Sequence, residues 1–101
     1  MQKPREVVLP DFRVFETDEV SKKFKKLTSR EANYLRRKLD SFVYPQIKET
    51  PFWGNNIKKL QGYDPDTWRY RIGKFRLFYI IDQEHQVIYI LTIDDRKDAY
   101  K

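Results

Sequence analysis

Phe12, Val14 and Glu16 alternate with Arg13 and Phe15, and this alternation predicts a short strand over residues 12–16. Thr17, followed by Asp18 and Glu19, has the form of a helix start, a hydroxyl cap ahead of acids that the helix dipole favours. Val20, Phe24 and Leu27 recur at helical spacing, leaving Lys22, Lys23, Lys25 and Lys26 for the outer face. Thr28-Ser29-Arg30-Glu31 is a capping box that opens a second helix. Ala32, Leu35, Leu39 and Phe42 give that helix an apolar stripe, with Arg36, Arg37 and Lys38 beside it. It should end near Tyr44, since Pro45 disfavours helical geometry in the residue before it.

Residues 45–66 hold three prolines and two glycines and predict a long irregular connection, with Ile57 and Leu60 as anchors to the core. From Thr67 the period changes to two. Trp68, Tyr70 and Ile72 alternate with Arg69 and Arg71, Gly73-Lys74 signals a two-residue hairpin loop, and Phe75 to Ile81 forms the return strand. Asp82 to His85 turns the chain into a third strand, Val87 to Ile93, and residues 94–101 are expected to close it with a short helical turn. The order β-α-α-β-β-β separates helices from strands. It predicts an α+β fold, an antiparallel sheet with a helical hairpin on one face.

A chain of 101 residues is expected to form a single domain, 1–101, with 1–10 as a loose leader. The absence of cysteine excludes a disulfide scaffold, a Cys-type zinc site and a thiol nucleophile, and His85 alone cannot build a multi-histidine metal site. No apolar run approaches the ~18–20 residues of a bilayer span, and no signal-peptide pattern opens the chain, so the cytoplasm is the expected compartment. The net charge is +6, from 21 basic against 15 acidic residues, which favours a polyanionic partner. Residues 68–79 contain four cations and no acid.

Pairing Ile72 with Phe75 across a two-residue loop sets Arg71 opposite Arg76 and Tyr70 opposite Leu77. Trp68, Tyr70, Ile72, Phe75, Leu77, Tyr79 and Ile81 then face the core, while Arg69, Arg71, Arg76, Phe78 and Ile80 share the other side. Like charges opposed across strands cost some tenths of a kcal/mol up to ~1. Such a cluster on a rigid sheet suits phosphate, which guanidinium forks grip bidentately. Asp94 or Glu49 are the acids placed to neutralise it. Trp53, in the connecting loop, is open to either a core or a binding role, and His85 is expected at the surface, away from the arginines.

These stretches, Asn56-Ile57-Lys58-Lys59-Leu60-Gln61-Gly62, then Trp68 to Tyr79, then Arg96-Lys97-Asp98-Ala99-Tyr100, resemble the RelE branch of the RelE/ParE toxin superfamily. The likeness runs from about Phe12 to Tyr100 and includes the order of elements. It implies a RelE-like fold and a type II toxin–antitoxin toxin: an mRNA interferase that cuts messenger RNA, usually in the ribosomal A site, and is masked by a cognate antitoxin. The implied partners are therefore mRNA, the ribosome and the antitoxin, with no membrane. The implied chemistry is attack of the RNA's own 2′-hydroxyl on the adjacent phosphate, with no metal and no cofactor. Carried over, the catalytic positions are Arg69, Arg71, Arg76, Arg96 and Tyr100: Arg71 and Arg76 on the scissile phosphate, Arg69 and Arg96 clamping, Tyr100 stacking or moving a proton. Lys58, Lys59, Lys74 and Phe78 are the expected RNA contacts. Arginine is a poor base, so the general base stays open, with Asp95 as either a base or an anchor for Arg96.

Two other functions remain open at this point. One is a ParE-like toxin that inhibits DNA gyrase by binding it, without catalysis. The other is a catalytically weakened relative that only binds RNA or an acidic partner.

Overall fold

The computed structural model describes residues 4, 5 and 11–95; the expected leader, the C-terminal helical turn, Arg96 and Tyr100 lie wholly or mostly outside the described residues. The elements run β1 (Arg13–Glu16), α1 (Asp18–Lys25), α2 (Ser29–Lys38), a π turn (Leu39–Val43), α3 (Tyr44–Glu49), β2 (Ile57–Lys59), β3 (Trp68–Ile72), β4 (Phe75–Asp82) and β5 (Val87–Asp95). The strands form one sheet in the order β1-β5-β4-β3-β2. Val20, Leu35, Leu39, Val43 and Ile47 from the helices pack against Tyr70, Ile72, Phe75, Leu77, Tyr79, Ile88, Ile90 and Ile93 from one face of that sheet. This is the α+β arrangement expected from the pattern.

The β3–β4 hairpin has the expected register, with Ile72 opposite Phe75 and Arg71 opposite Arg76. Gly73 takes the positive φ (+57°) that such a turn demands and that a side chain would resist. The capping box also forms as read: Thr28 Oγ1 accepts from the Glu31 amide at 3.1 Å, and the Thr28 amide donates back to Glu31 Oε1 at 3.1 Å.

Four features depart from the sequence pattern or refine it. The edge strand β1 joins β5 in parallel, whereas every other pairing is antiparallel. Thr17 holds the backbone geometry of a cap but makes no side-chain cap bond. Its hydroxyl instead donates to the Leu91 carbonyl at 2.8 Å. Leu91 is the extra residue of a β-bulge, since Phe78 lies opposite Thr92 and Tyr79 opposite Ile90. A bulge frees backbone groups from the ladder, and Thr17 takes up one of them. The extra residue also lets Ile90 and Ile93 both point inward.

The third departure is the second helix, which does not end at Tyr44. Leu35, Leu39, Val43 and Ile47 are all buried, at a spacing of four. A helix of 3.6 residues per turn would rotate such a repeat off the core. The π turn at Leu39–Val43 underwinds the backbone there, with the Tyr44 amide donating to the Leu39 carbonyl, and keeps the repeat in line. Pro45 then falls in the first turn of α3, where a missing N–H costs little. Phe42, expected on the buried stripe, is 62% exposed, and Val43 takes its place.

Fourth, the connection 45–66 is not irregular throughout. It contains α3 and the three-residue strand β2, which pairs with β3 at the sheet edge. Ile57 packs on the core and Leu60 is half-buried, as anchors should be.

Candidate functional site

The sheet face turned away from the helices carries the basic residues in two rows. In the first, Lys58 on β2 lies opposite Arg69 on β3, which lies opposite Phe78 on β4 and then Thr92 on β5. In the second, Arg71 lies opposite Arg76, which lies opposite Asp94. Alternate residues along a strand are about 7 Å apart and cross-strand Cβ atoms about 5 Å. Lys58, Arg69, Arg71 and Arg76 therefore occupy an area comparable to a few nucleotide phosphates. Arg71 is exposed, and Arg69 and Arg76 are half-buried. The Arg71 amide donates to the Asn56 carbonyl at 2.9 Å, which fixes the edge of β3 just past the end of β2.

One acid stands in these rows. Asp94 is in register with Arg76, and its Oδ1 is 2.9 Å from Lys23 Nζ on α1. Glu49, the other acid considered from sequence, lies at the end of α3 in the helical layer. Asp95 is opposite Phe75 and so belongs to the helix side of the sheet, where Lys74 Nζ is 3.5 Å from its Oδ2. A carboxylate there does not face the arginine rows as a base would need to.

Two of the lysines expected among the RNA contacts stand apart from the arginines. Lys59 is opposite Trp68, on the alternate face of β2, with its ammonium 3.1 Å from Asp66. Lys74, at the hairpin tip, bends toward the helices and hydrogen-bonds Glu31. That bond raises the Lys74 pKa and lowers that of Glu31, so this lysine keeps its proton. Phe78 and Lys58 do share the arginine face. His85 is exposed in the β4–β5 turn, with Nδ1 2.8 Å from Asp82 Oδ2, a surface histidine as expected. Tyr70 is core, its hydroxyl donating to Gln46 Oε1 at 2.5 Å. Trp68 is half-buried and packs edge-on against Phe52, with centroids 5.6 Å apart. Trp53 is 65% exposed.

Sequence reasoning missed Tyr63 and Thr92, which with Phe78 and Asp94 line a recess of about 260 Å³ beside the first row. The Thr92 Oγ1 is buried without a hydrogen-bond partner. The period-two pattern of β5 hid Thr92, because the bulge at Leu91 shifts every later residue to the other face. Among the described residues, no group of three His, Cys, Asp or Glu side chains is placed to hold a metal ion. None of the helices among them is long and apolar enough to cross a membrane.

The fold, a five-stranded sheet with helices on one face, is shared with solved RelE toxins. The RelBE2 toxin–antitoxin complex of Mycobacterium tuberculosis contains a chain that superposes with a TM-score of 0.67 at 27% identity, over 85% of this chain and 99% of that one. The archaeal RelE–RelB complex of Pyrococcus horikoshii gives 0.59 at 25% identity, over 85% of this chain and 96% of that one. RelE1 of Methanocaldococcus jannaschii is 44% identical over 46 residues, which span 46% of this chain and half of that protein's length. Residues 17–100 match the family described as ParE toxin of type II toxin-antitoxin system, parDE. The chain belongs to that family, within the RelE/ParE superfamily.

Proposed function

We propose that this protein is the toxin of a type II toxin–antitoxin pair and acts as an mRNA interferase, cutting messenger RNA in the ribosomal A site. The observation that carries this reading is the arginine pair, Arg71 directly opposite Arg76, with Arg69 and Lys58 in the adjoining row. A protein that only binds a partner's surface has no need to set like charges against one another. A pentacoordinate phosphate in transit does need them, because its extra negative charge is met by donors already in place.

In this mechanism Arg71 and Arg76 hold the non-bridging oxygens of the scissile phosphate, and Arg69 orients the neighbouring phosphate. The 2′-hydroxyl oxygen attacks phosphorus, its proton is lost to a base, and the 5′-oxygen leaves with a proton. The products are a 2′,3′-cyclic phosphate and a 5′-hydroxyl. Arg96 and Tyr100, outside the described residues, are proposed for the leaving oxygen and for stacking or proton transfer. No resident metal or cofactor is required by this scheme. The solved neighbours include RelB–RelE complexes, and an antitoxin that covers the arginine face is the proposed protein partner.

The test is purified protein incubated with programmed ribosomes and with free RNA, in the presence of a chelator, followed by end-group analysis. Cyclic phosphate and 5′-hydroxyl ends that vanish in Arg76→Ala support the reading; intact message throughout overturns it. A second reading, inhibition of DNA gyrase, has the family match itself in its favour. Loss of DNA supercoiling on induction, with messages left whole, selects it.

A further inference from the structure

The four-residue repeat that buries Leu35, Leu39, Val43 and Ile47 has a neighbour one position earlier: Tyr34, Lys38, Phe42 and Gln46. The π turn that holds the first stripe on the core holds the second in line beside it. Together with the exposed end of β3, this second stripe walls a groove of about 550 Å³, which Asn56 and Arg71 also line. Tyr34 and Phe42 are 42% and 62% exposed. Lys38 lies between them, its Nζ 4.9 Å from the Phe42 ring centroid and 6.0 Å from that of Tyr34. Two cations and no carboxylate line the groove.

We infer that this groove is a stacking subsite for an unpaired nucleobase of the RNA whose phosphate Arg71 holds. The inference rests on the proposed nuclease reading and adds the place where a flanking base goes. Exposed rings, a cation between them and amide side chains at the rim are the chemistry that retains single-stranded bases, since every base offers a π face and an edge that hydrogen-bonds. An acidic lining would repel the backbone that must accompany the base, and the lining here is cationic. Arg71 belongs to both the groove and the arginine row, so a strand gripped at the phosphate enters the groove with its next base. Phe42 gains nothing for the core by its position and is the ring most open to a ligand.

Fluorescence anisotropy with two labelled probes tests this. One is a six-residue oligoadenylate with 2′-O-methyl riboses, which lacks the attacking hydroxyl and stays whole; the other is a ribose-phosphate oligomer of equal length without bases. The wild-type protein is expected to prefer the adenine probe. Phe42→Ala should weaken binding of that probe roughly tenfold and leave the abasic probe unchanged, with Phe42→Tyr restoring the preference. Equal affinity of wild type for the two probes, or an equal loss on both in Phe42→Ala, overturns the subsite. So does Phe42-dependent self-association without base preference, which would assign the groove to a second copy of the chain. A base-dependent grip with no cleavage of unmodified RNA would remove the nuclease reading and leave the groove standing. Cleavage by wild type without that grip would remove the groove alone.

Discussion

Arg71 and Arg76 are opposed on neighbouring strands, and that opposition costs the fold a few tenths of a kcal/mol up to about 1. Arg71→Thr should therefore raise the urea midpoint slightly while removing toxicity, a gain in stability coupled to a loss of function. On the proposed nuclease reading, Arg76→Ala should lower the cleavage rate by about 10²–10³-fold, the usual cost of losing one donor to a developing charge. Its unfolding free energy should stay within about 1 kcal/mol of wild type, because the side chain faces away from the core. Full cleavage by Arg76→Ala would refute the site. A different residue governs the response to acid. Burial alone would raise the Glu16 pKa, but the Arg36 fork at 2.6 and 3.2 Å and the Tyr44 hydroxyl outweigh it, and the net shift is below 4.5. As pH falls, the unfolded chain takes up this proton first, so the contribution is complete above about 4.5 and is lost as pH drops through the folded value. Urea titrations from pH 7 down to pH 3 should show Glu16→Gln less stable at neutrality and less sensitive to acid.

Along the helical stripe, buried and exposed neighbours should respond differently to truncation. Leu39→Ala should cost about 2–5 kcal/mol, because it empties a fully buried site. Phe42→Ala should stay within about 0.5 kcal/mol, as an exposed change does. Thermal melts that reversed this order would show that the chain does not underwind at Leu39–Val43. This element also shows where the sequence stopped being legible. Read at 3.6 residues per turn, Ala32, Leu35, Leu39 and Phe42 look like one face, but the core follows a repeat of four and takes Val43 instead. The hairpin was legible because its cues are local: strict alternation and a glycine where positive φ is needed. The shared face of Arg69, Arg71, Arg76 and Phe78 followed from those same cues. Lys59 and Lys74 did not, because their directions depend on β2, a strand too short to announce itself, and on Glu31 across the fold. The parallel seating of β1 was equally hidden, since its partner lies at the far end of the chain.

For the molecule as a whole, charge is distributed by face. The helical side pairs some of its cations through Arg36–Glu16 and Lys74–Glu31, whereas the opposite face gathers Lys58, Arg69, Arg71 and Arg76 around one in-register acid among the described residues, Asp94, which Lys23 of α1 also contacts. If these four groups meet RNA phosphates, the logarithm of the binding constant should fall with the logarithm of salt at a slope of about −3, from roughly −0.7 per phosphate on a single strand. Arg69→Ala should flatten that slope by about 0.7, measured by anisotropy between 50 and 300 mM salt, and an unchanged slope would place Arg69 off the RNA path.

The two-residue loop at Gly73-Lys74 has a regulatory corollary. Strands joined so tightly and laddered rung to rung hold the two arginines opposite one another without a conformational change. On the proposed nuclease reading, access to the arginine face is the point left for control, and an antitoxin covering it would set activity by its abundance.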